Sequence, residues 1–204
     1  MIEAIKYNLP DINILSQSNT DLKLHTWQPD AIYLVLGQSN SADESLNTEE
    51  VEKDQVLVYK RPSGGQTVIL TPNTLVISTT VTAEKFVNPD VYFRQINSLI
   101  ISILENSGIK NIHHKGISDI AVGEKKILGS AIYRNHQKVF YHSVLNVSER
   151  TDIMERYIKH PAKEPDYRKG RPHADFVTSL QAEGYKITIK NIKHLFDNHN
   201  INNR

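Results

Sequence analysis

Two strand-type runs, QVLVYK at 55–60 and TVIL at 67–70, are separated by RPSGGQ, and that break governs what the chain can become. A third run, TLVISTTV at 74–81, is rich in β-branched residues, which pack well on a pleated surface. A glycine pair such as Gly64-Gly65 lets the backbone approach a ligand closely and expose successive N–H groups to an anion. Arg61 beside it adds a guanidinium suited to clamping a carboxylate or phosphate. A strand, not a helix, follows the glycines, which excludes a dinucleotide-binding turn; the GxxxxGK[ST] spacing of a P-loop is absent as well. Taken alone, the same residues also fit a plain hairpin turn with an exposed arginine.

The rest of the chain reads as further strands with a few helices. DLKLHTW (21–27) and AIYLVLG (31–37) are strand-like and joined by a turn at Pro29. The acidic stretch 39–54 reads as a loop leading to a short surface helix capped near Asn47 or Thr48. Asn88-Pro89 opens the clearest helix, with Gly108 beyond its end. Inside it Tyr92, Ile96, Leu99, Ile100, Ile103 and Leu104 recur at helical spacing as a buried stripe. IAVGEKKILGSAIY (120–133) reads as a hairpin turning at Gly123-Glu124, and 139–147 as another strand. Residues 148–160 and 173–184 look helical, and a last helix starts at Thr188 and ends near Asn198, before a frayed HNINNR tail. About seven strands in one mixed, largely antiparallel sheet flanked by helices make an α+β fold.

With 204 residues the chain is expected to form a single domain with a sizeable core. Lys plus Arg number 24 and Asp plus Glu 23, so bulk charge does not point to nucleic acid. Cysteine is absent, which excludes a disulfide framework, a Cys-based zinc site and a thiol nucleophile. The N-terminus does not read as a signal peptide, and no apolar run approaches the ~20 residues that span a bilayer. A cytoplasmic protein that does not engage a membrane is expected.

ISDIAVGEKKILGSAIYRN (117–135) places Asp119 on one strand and Lys126 on the next, followed by Gly129, Ser130 and Ala131. A lysine beside a run of small residues has room to meet an acyl-phosphate. Alone, Lys126 fits an exposed hairpin lysine equally well, because Glu124, Lys125 and Lys126 form a charged turn.

Together the two segments resemble the lipoate–protein ligase A family, within the wider biotin and lipoate ligase fold. KRPSGGQ is similar to the family's RRxSGGG turn through Arg61, Ser63, Gly64 and Gly65. SDIAVGEKKILGSA is similar to its ND…K-I-x-G-S-A segment through Asp119, Lys126, Gly129, Ser130 and Ala131. YLVLGQSN (33–40), YHSVLNV (141–147, with His142) and HPAKEPDYRKGRPHADFV (160–177) echo further family segments in order, so the resemblance covers roughly 21–198. The chain departs from the pattern at Gln66 for the third Gly, Leu70 for a His, Ser118 for an Asn, and Ser143 for the Gly after His142.

The resemblance implies a catalytic domain of the class II synthetase and biotin ligase type, ending where longer members begin a small accessory domain. It implies that lipoate or octanoate and ATP give an acyl-adenylate, attacked next by a lysine of a lipoyl carrier domain. That carrier would belong to a 2-oxoacid dehydrogenase or the glycine cleavage system. Lys126 would be catalytic, donating to the acyl carbonyl and α-phosphate oxygens. Arg61, Ser63, Gly64, Gly65, Gly129, Ser130, Ala131 and His142 would bind substrate, and Asp119 would help hold Mg²⁺. Three readings stay open: a ligase acting alone, a transferase needing an accessory protein, and a non-catalytic lipoyl-binding paralogue. A covalent Cys route is closed, and Ser63 and Ser130 have no His-Asp pattern beside them in sequence to make them nucleophiles. Adjacent His113 and His114 would face opposite sides of a strand, so no structural metal is expected.

Overall fold

The strand-type runs assemble into two sheets where one was expected. The computed structural model describes residues 2–16 and 22–202. Its first half contains β1 (Ile5–Lys6), a 3-10 segment (Pro10–Ser16), β2 (His25–Trp27), β3 (Tyr33–Leu36), α1 (Ala42–Ser45), α2 (Thr48–Lys53), β4 (Leu57–Lys60), β5 (Val68–Leu70) and β6 (Thr74–Thr82). Then come α3 (Pro89–Asn106), β7 (Ile112–Lys115), β8 (Asp119–Val122), β9 (Lys125–Arg134) and β10 (Lys138–Asn146). The chain continues through α4 (Thr151–Tyr157), a 3-10 turn (Asp166–Arg168), α5 (His173–Phe176) and α6 (Ile189–Asn202). The α+β plan and the prevalence of antiparallel pairing are as expected.

The larger sheet has six strands in the order β2-β6-β10-β9-β8-β7, all antiparallel. The smaller has four in the order β1-β4-β3-β5, where β4 runs parallel to β1 and β3. A parallel pair needs a crossover, and α1 and α2 supply it between β3 and β4. The Gly-rich turn lies between β4 and β5 of the small sheet, whereas Lys126 and His142 lie on β9 and β10 of the large one. The site is therefore built where the two sheets face each other.

Helix α3 covers the far side of the large sheet. Its Asn88 cap accepts from the Asp90 N–H, and Pro89 occupies the first turn. Tyr92, Ile96, Ile100, Ile103 and Leu104 are buried, most of them with Leu75, Ile77, Tyr141 and Leu145 of β6 and β10. Leu99 only packs against that cluster, while Asn97 is buried and accepts from the Tyr141 hydroxyl at 2.6 Å. Asn88→Ala should cost about 1 kcal/mol of stability through loss of the cap, read from denaturant midpoints; an unchanged midpoint would mean that the cap contributes nothing.

Several boundaries differ from expectation. Of the 21–27 strand only His25–Trp27 forms; Asp21 lies outside the described residues. Helix α2 does start at Thr48, but the Asn47 amide donates to the carbonyls of Glu155 and Arg156 and does not cap. The helix expected over 173–184 shrinks to α5, because Val177 bridges to Lys126 and the Thr178 N–H donates to the Lys126 carbonyl. Tertiary pairing with β9 there outweighs helical periodicity. Helix α6 runs on to Asn202, through residues expected to fray; 203 and 204 lie outside the described residues. Among the described residues no helix is long and apolar enough to cross a membrane.

Candidate active site

The Gly-rich turn is fixed by the arginine expected to bind a ligand. Arg61 is buried, and its guanidinium donates to the carbonyls of Val35, Gly64 and Gln66 at 2.7 to 3.0 Å. Burial without a carboxylate partner pushes its pKa down to about 10. Nε has no hydrogen-bond partner among the described residues. Arg61 thus organises the turn first: three of its five N–H donors are spent on carbonyls, which leaves Nε–H and one Nη1–H. The Gln38 N–H donates to the Ser63 carbonyl at 2.9 Å, tying the end of β3 to the turn. At Gly37 an added Cβ would lie 1.9 Å from the Gly65 carbonyl oxygen, so the two backbones touch only because Gly37 is glycine. Gly65 adopts φ +89°, a left-handed conformation that favours glycine.

Lys126 lies across from this turn. A β-bulge near Ile120 and Ala121 interrupts the β8–β9 register. Lys126 Nζ pairs with Asp119 Oδ1 at 2.8 Å, and the Tyr167 hydroxyl donates to Asp119 Oδ2 at 2.8 Å. Burial and this carboxylate raise the Tyr167 pKa far above the usual phenol value, so its proton stays in place. The 160–177 segment that carries Tyr167 is held by Phe176, with the Arg168 and Arg171 guanidinium groups 4.8 and 5.3 Å from its ring. The Lys126 side chain lies flat over Gly129, where an added Cβ would come within 2.6 Å of Nζ.

Two cavities meet at Lys126. One, of about 630 Å³, is lined by the apolar Val35, Leu70 and Val76, by Tyr7 and His142, whose ring centroids lie 6.0 Å apart, and by Asp119, Lys126 and Ser130. Leu70 stands where a histidine was the family expectation, and with Val35 and Val76 it adds apolar lining. The second cavity, of about 650 Å³, is lined by Asn40, Ile158, Lys159, Arg168, His173 and Phe176 among others. Gln66, Lys126, Gly129 and Lys163 border both.

Arg61, Gly65, Asp119, Lys126, Gly129, Ser130, Ala131 and His142 come together on the first cavity. Gly64 does not: it is exposed and a Cβ there would meet nothing within 4 Å. Ser63 is only 1 % exposed and sits behind the wall. Ser130 is not a free hydroxyl, because Oγ donates to the Ser118 carbonyl at 2.6 Å. Asp119 has both oxygens engaged, by Lys126 and Tyr167. Ser63 does have a His and an Asp near it in space, brought there from distant parts of the chain. His142 Nε2 lies 2.5 Å from Ser63 Oγ, and Nδ1 lies 3.4 Å from Asp11 Oδ2. Tyr167 lies in the 160–177 segment already singled out, though no role was read for it, whereas Tyr7 and Asp11 carry no motif; a carboxylate in an apolar N-terminal run was the one available signal.

The model of the lipoyl protein ligase A/B catalytic domain matches residues 12–199. The chain belongs to this family. The lipoate–protein ligase A of Psychrobacter cryohalolentis is 30% identical over 133 residues, 64% of this chain and 37% of that protein. Lipoate–protein ligase 1 of Staphylococcus aureus is 27% identical over the same share of this chain and 39% of its own length. The chain thus spans under two fifths of these curated relatives. Among solved structures, a bipartite lipoate–protein ligase of Thermoplasma acidophilum, described with its E2 lipoyl domain, superposes with a TM-score of 0.77 at 17% identity, covering 92% of this chain and 73% of that one. A lipoate–protein ligase A bound with ATP gives 0.75 at 17% identity, covering 96% and 83%. The α+β architecture is therefore that of a lipoate ligase catalytic domain.

Proposed function

We propose that this lipoyl ligase-family domain binds lipoate or octanoate as its acyl-adenylate and passes the acyl group to a lysine of a lipoyl carrier domain. The observation that carries this reading is the Lys126 ammonium at the junction of two cavities, over the space that Gly129 leaves open. The apolar lining at Leu70, Val35 and Val76 suits an aliphatic tail, and the second cavity, with Lys159, Lys163 and Arg168, suits a nucleotide. The mixed anhydride would then sit at Lys126.

In the first step the acyl carboxylate attacks the α-phosphorus of ATP and pyrophosphate leaves. In the second the carrier amine attacks the acyl carbonyl carbon, AMP leaves and the amine loses a proton. Both steps build negative charge on oxygens beside Lys126. An ammonium has three donors, so Lys126 can keep Asp119 while donating to the carbonyl and α-phosphate oxygens, stabilisation that grows towards the transition state. Asp119 is the positioning group, and Tyr167 fixes Asp119. Mg²⁺ enters as part of Mg–ATP, held by the phosphates, and no step is assigned to a protein-bound ion. The carrier in this reading is a lipoyl domain of a 2-oxoacid dehydrogenase or the glycine cleavage carrier, in the cytoplasm.

The bipartite ligase among the structural neighbours favours a second reading, in which activation needs an accessory protein and this domain handles only the adenylate. Pyrophosphate release from lipoate and Mg–ATP by the isolated chain supports the self-sufficient ligase. No release, together with saturable binding of preformed lipoyl-adenylate, supports the second. Neither response would reject the acyl-adenylate reading.

A further inference from the structure

Along the wall of the acyl cavity runs a polar chain, through Tyr7 and His142, that the transfer chemistry does not use. The Tyr7 hydroxyl donates to Asp11 Oδ1 at 2.7 Å, Asp11 Oδ2 faces His142 Nδ1 at 3.4 Å, and His142 Nε2 meets Ser63 Oγ at 2.5 Å. Tyr7 and Asp11 precede the residues that match the family model, 12–199. Tyr7 lines the cavity and Asp11 is buried beside it, because β1 pairs in parallel with β4 and the 3-10 segment folds back onto β10.

The order Asp, His, Ser has the form of a hydrolase triad, yet it does not act as one here. Ser63 is buried behind the wall, so its oxygen does not face a ligand. What Ser63 does touch is the turn itself: its carbonyl accepts from Gln38, and Gly65, two residues on, borders the cavity. Its hydroxyl is therefore a handle by which His142 holds the turn.

We infer that Asp11 and His142 are positioning residues for the acyl pocket, holding the Gly-rich turn through Ser63 and the Tyr7 wall through Asp11, so that acyl affinity depends on a neutral His142. This rests on the acyl-adenylate reading above. A neutral imidazole accepts the Ser63 proton at Nε2 and keeps its own at Nδ1 towards Asp11. Burial lowers the pKa of His142, which keeps it neutral in the fold. The charged and titratable groups that face it are Asp11 from the 3-10 segment, Tyr7 from the link after β1, and Arg61 from the end of β4. Asp11 favours the imidazolium and Arg61 opposes it. Once protonated, Nε2 can only donate, so the hydrogen bond to Ser63 reverses and the buried Ser63 hydroxyl proton loses the acceptor that fixed it.

The test compares wild type, Asp11→Asn, His142→Ala and His142→Gln in binding preformed lipoyl-adenylate between pH 8 and pH 5, with melting temperatures and saturated single-turnover transfer rates alongside. His142→Ala should weaken binding by about tenfold, the scale of one buried hydrogen bond, while the saturated transfer rate stays near wild type. His142→Gln places an amide oxygen where Nε2 was, so it should recover most of the affinity. Wild-type affinity should fall towards acid. His142→Gln should remove that acid limb, and Asp11→Asn, which deprives the imidazolium of its carboxylate, should move it to lower pH. A purely structural role would lower melting temperatures and leave the acid limb of Asp11→Asn and His142→Gln where wild type has it; that result overturns the inference. No saturable binding by wild type would reject the acyl-adenylate reading, and this inference with it.

Discussion

Lys126→Ala is expected to cut transfer of the acyl group from preformed adenylate by roughly 100-fold or more, the scale of losing one well-placed donor to a developing oxyanion. Lys125→Ala should stay near wild type. The two lysines are neighbours of equal charge, yet Lys125 is exposed while Lys126 lies on the cavity and is paired with Asp119. A general loss of positive charge would affect both variants alike. Lys126→Ala also strands Asp119, whose side chain is only 8 % exposed, so its melting temperature should drop. Asp119→Asn combined with Lys126→Ala removes the stranded charge. It should regain stability without regaining rate, which separates catalysis from folding. Equal single-turnover rates for Lys125→Ala and Lys126→Ala would take Lys126 out of the mechanism.

Gly129→Ala should be nearly as damaging to transfer and harmless to the fold. Glycine is not needed there for its backbone, since Gly129 is absent from the positive-φ glycines. It is needed for space: an added Cβ would lie 2.6 Å from Lys126 Nζ and 2.7 Å from Cε. Those atoms are the end of a flexible side chain, so they move aside and the strand keeps its pairing with β8 and β10. A reactive group displaced by about 1 Å loses up to about 100-fold in rate. Alanine is meanwhile favoured over glycine within a strand, so the melting temperature should hold or rise slightly. Full activity in Gly129→Ala would mean that Lys126 works from a position other than the one over Gly129.

The parts of this site that were legible in the sequence are those encoded locally. Gly129, Ser130 and Ala131 follow Lys126 within one strand, so a cation beside a gap is written in adjacent residues. Helix α3 carries its own cap and stripe, and its limits follow from Asn88, Pro89 and Gly108. The Ser63–His142 contact joins residues 79 apart in sequence, and Asp11 comes from a short 3-10 segment with no periodicity to announce it. Nothing local encodes such a pairing. The structural share of Arg61 was hidden for a related reason: only the folded chain brings three carbonyls around its guanidinium. Val177 and Thr178 likewise pair with Lys126 of β9, and the Leu180 N–H donates to the Asn146 carbonyl of β10, so this stretch leaves the helix its pattern suggests.

The most direct measurement of the central claim is the intact mass of an apo lipoyl domain after incubation with preformed lipoyl-adenylate, with and without this protein. One lipoyl group is expected to be added, at the carrier lysine, at a rate proportional to the amount of protein and well above that of the adenylate alone. Modification no faster than in the protein-free control would contradict the claim.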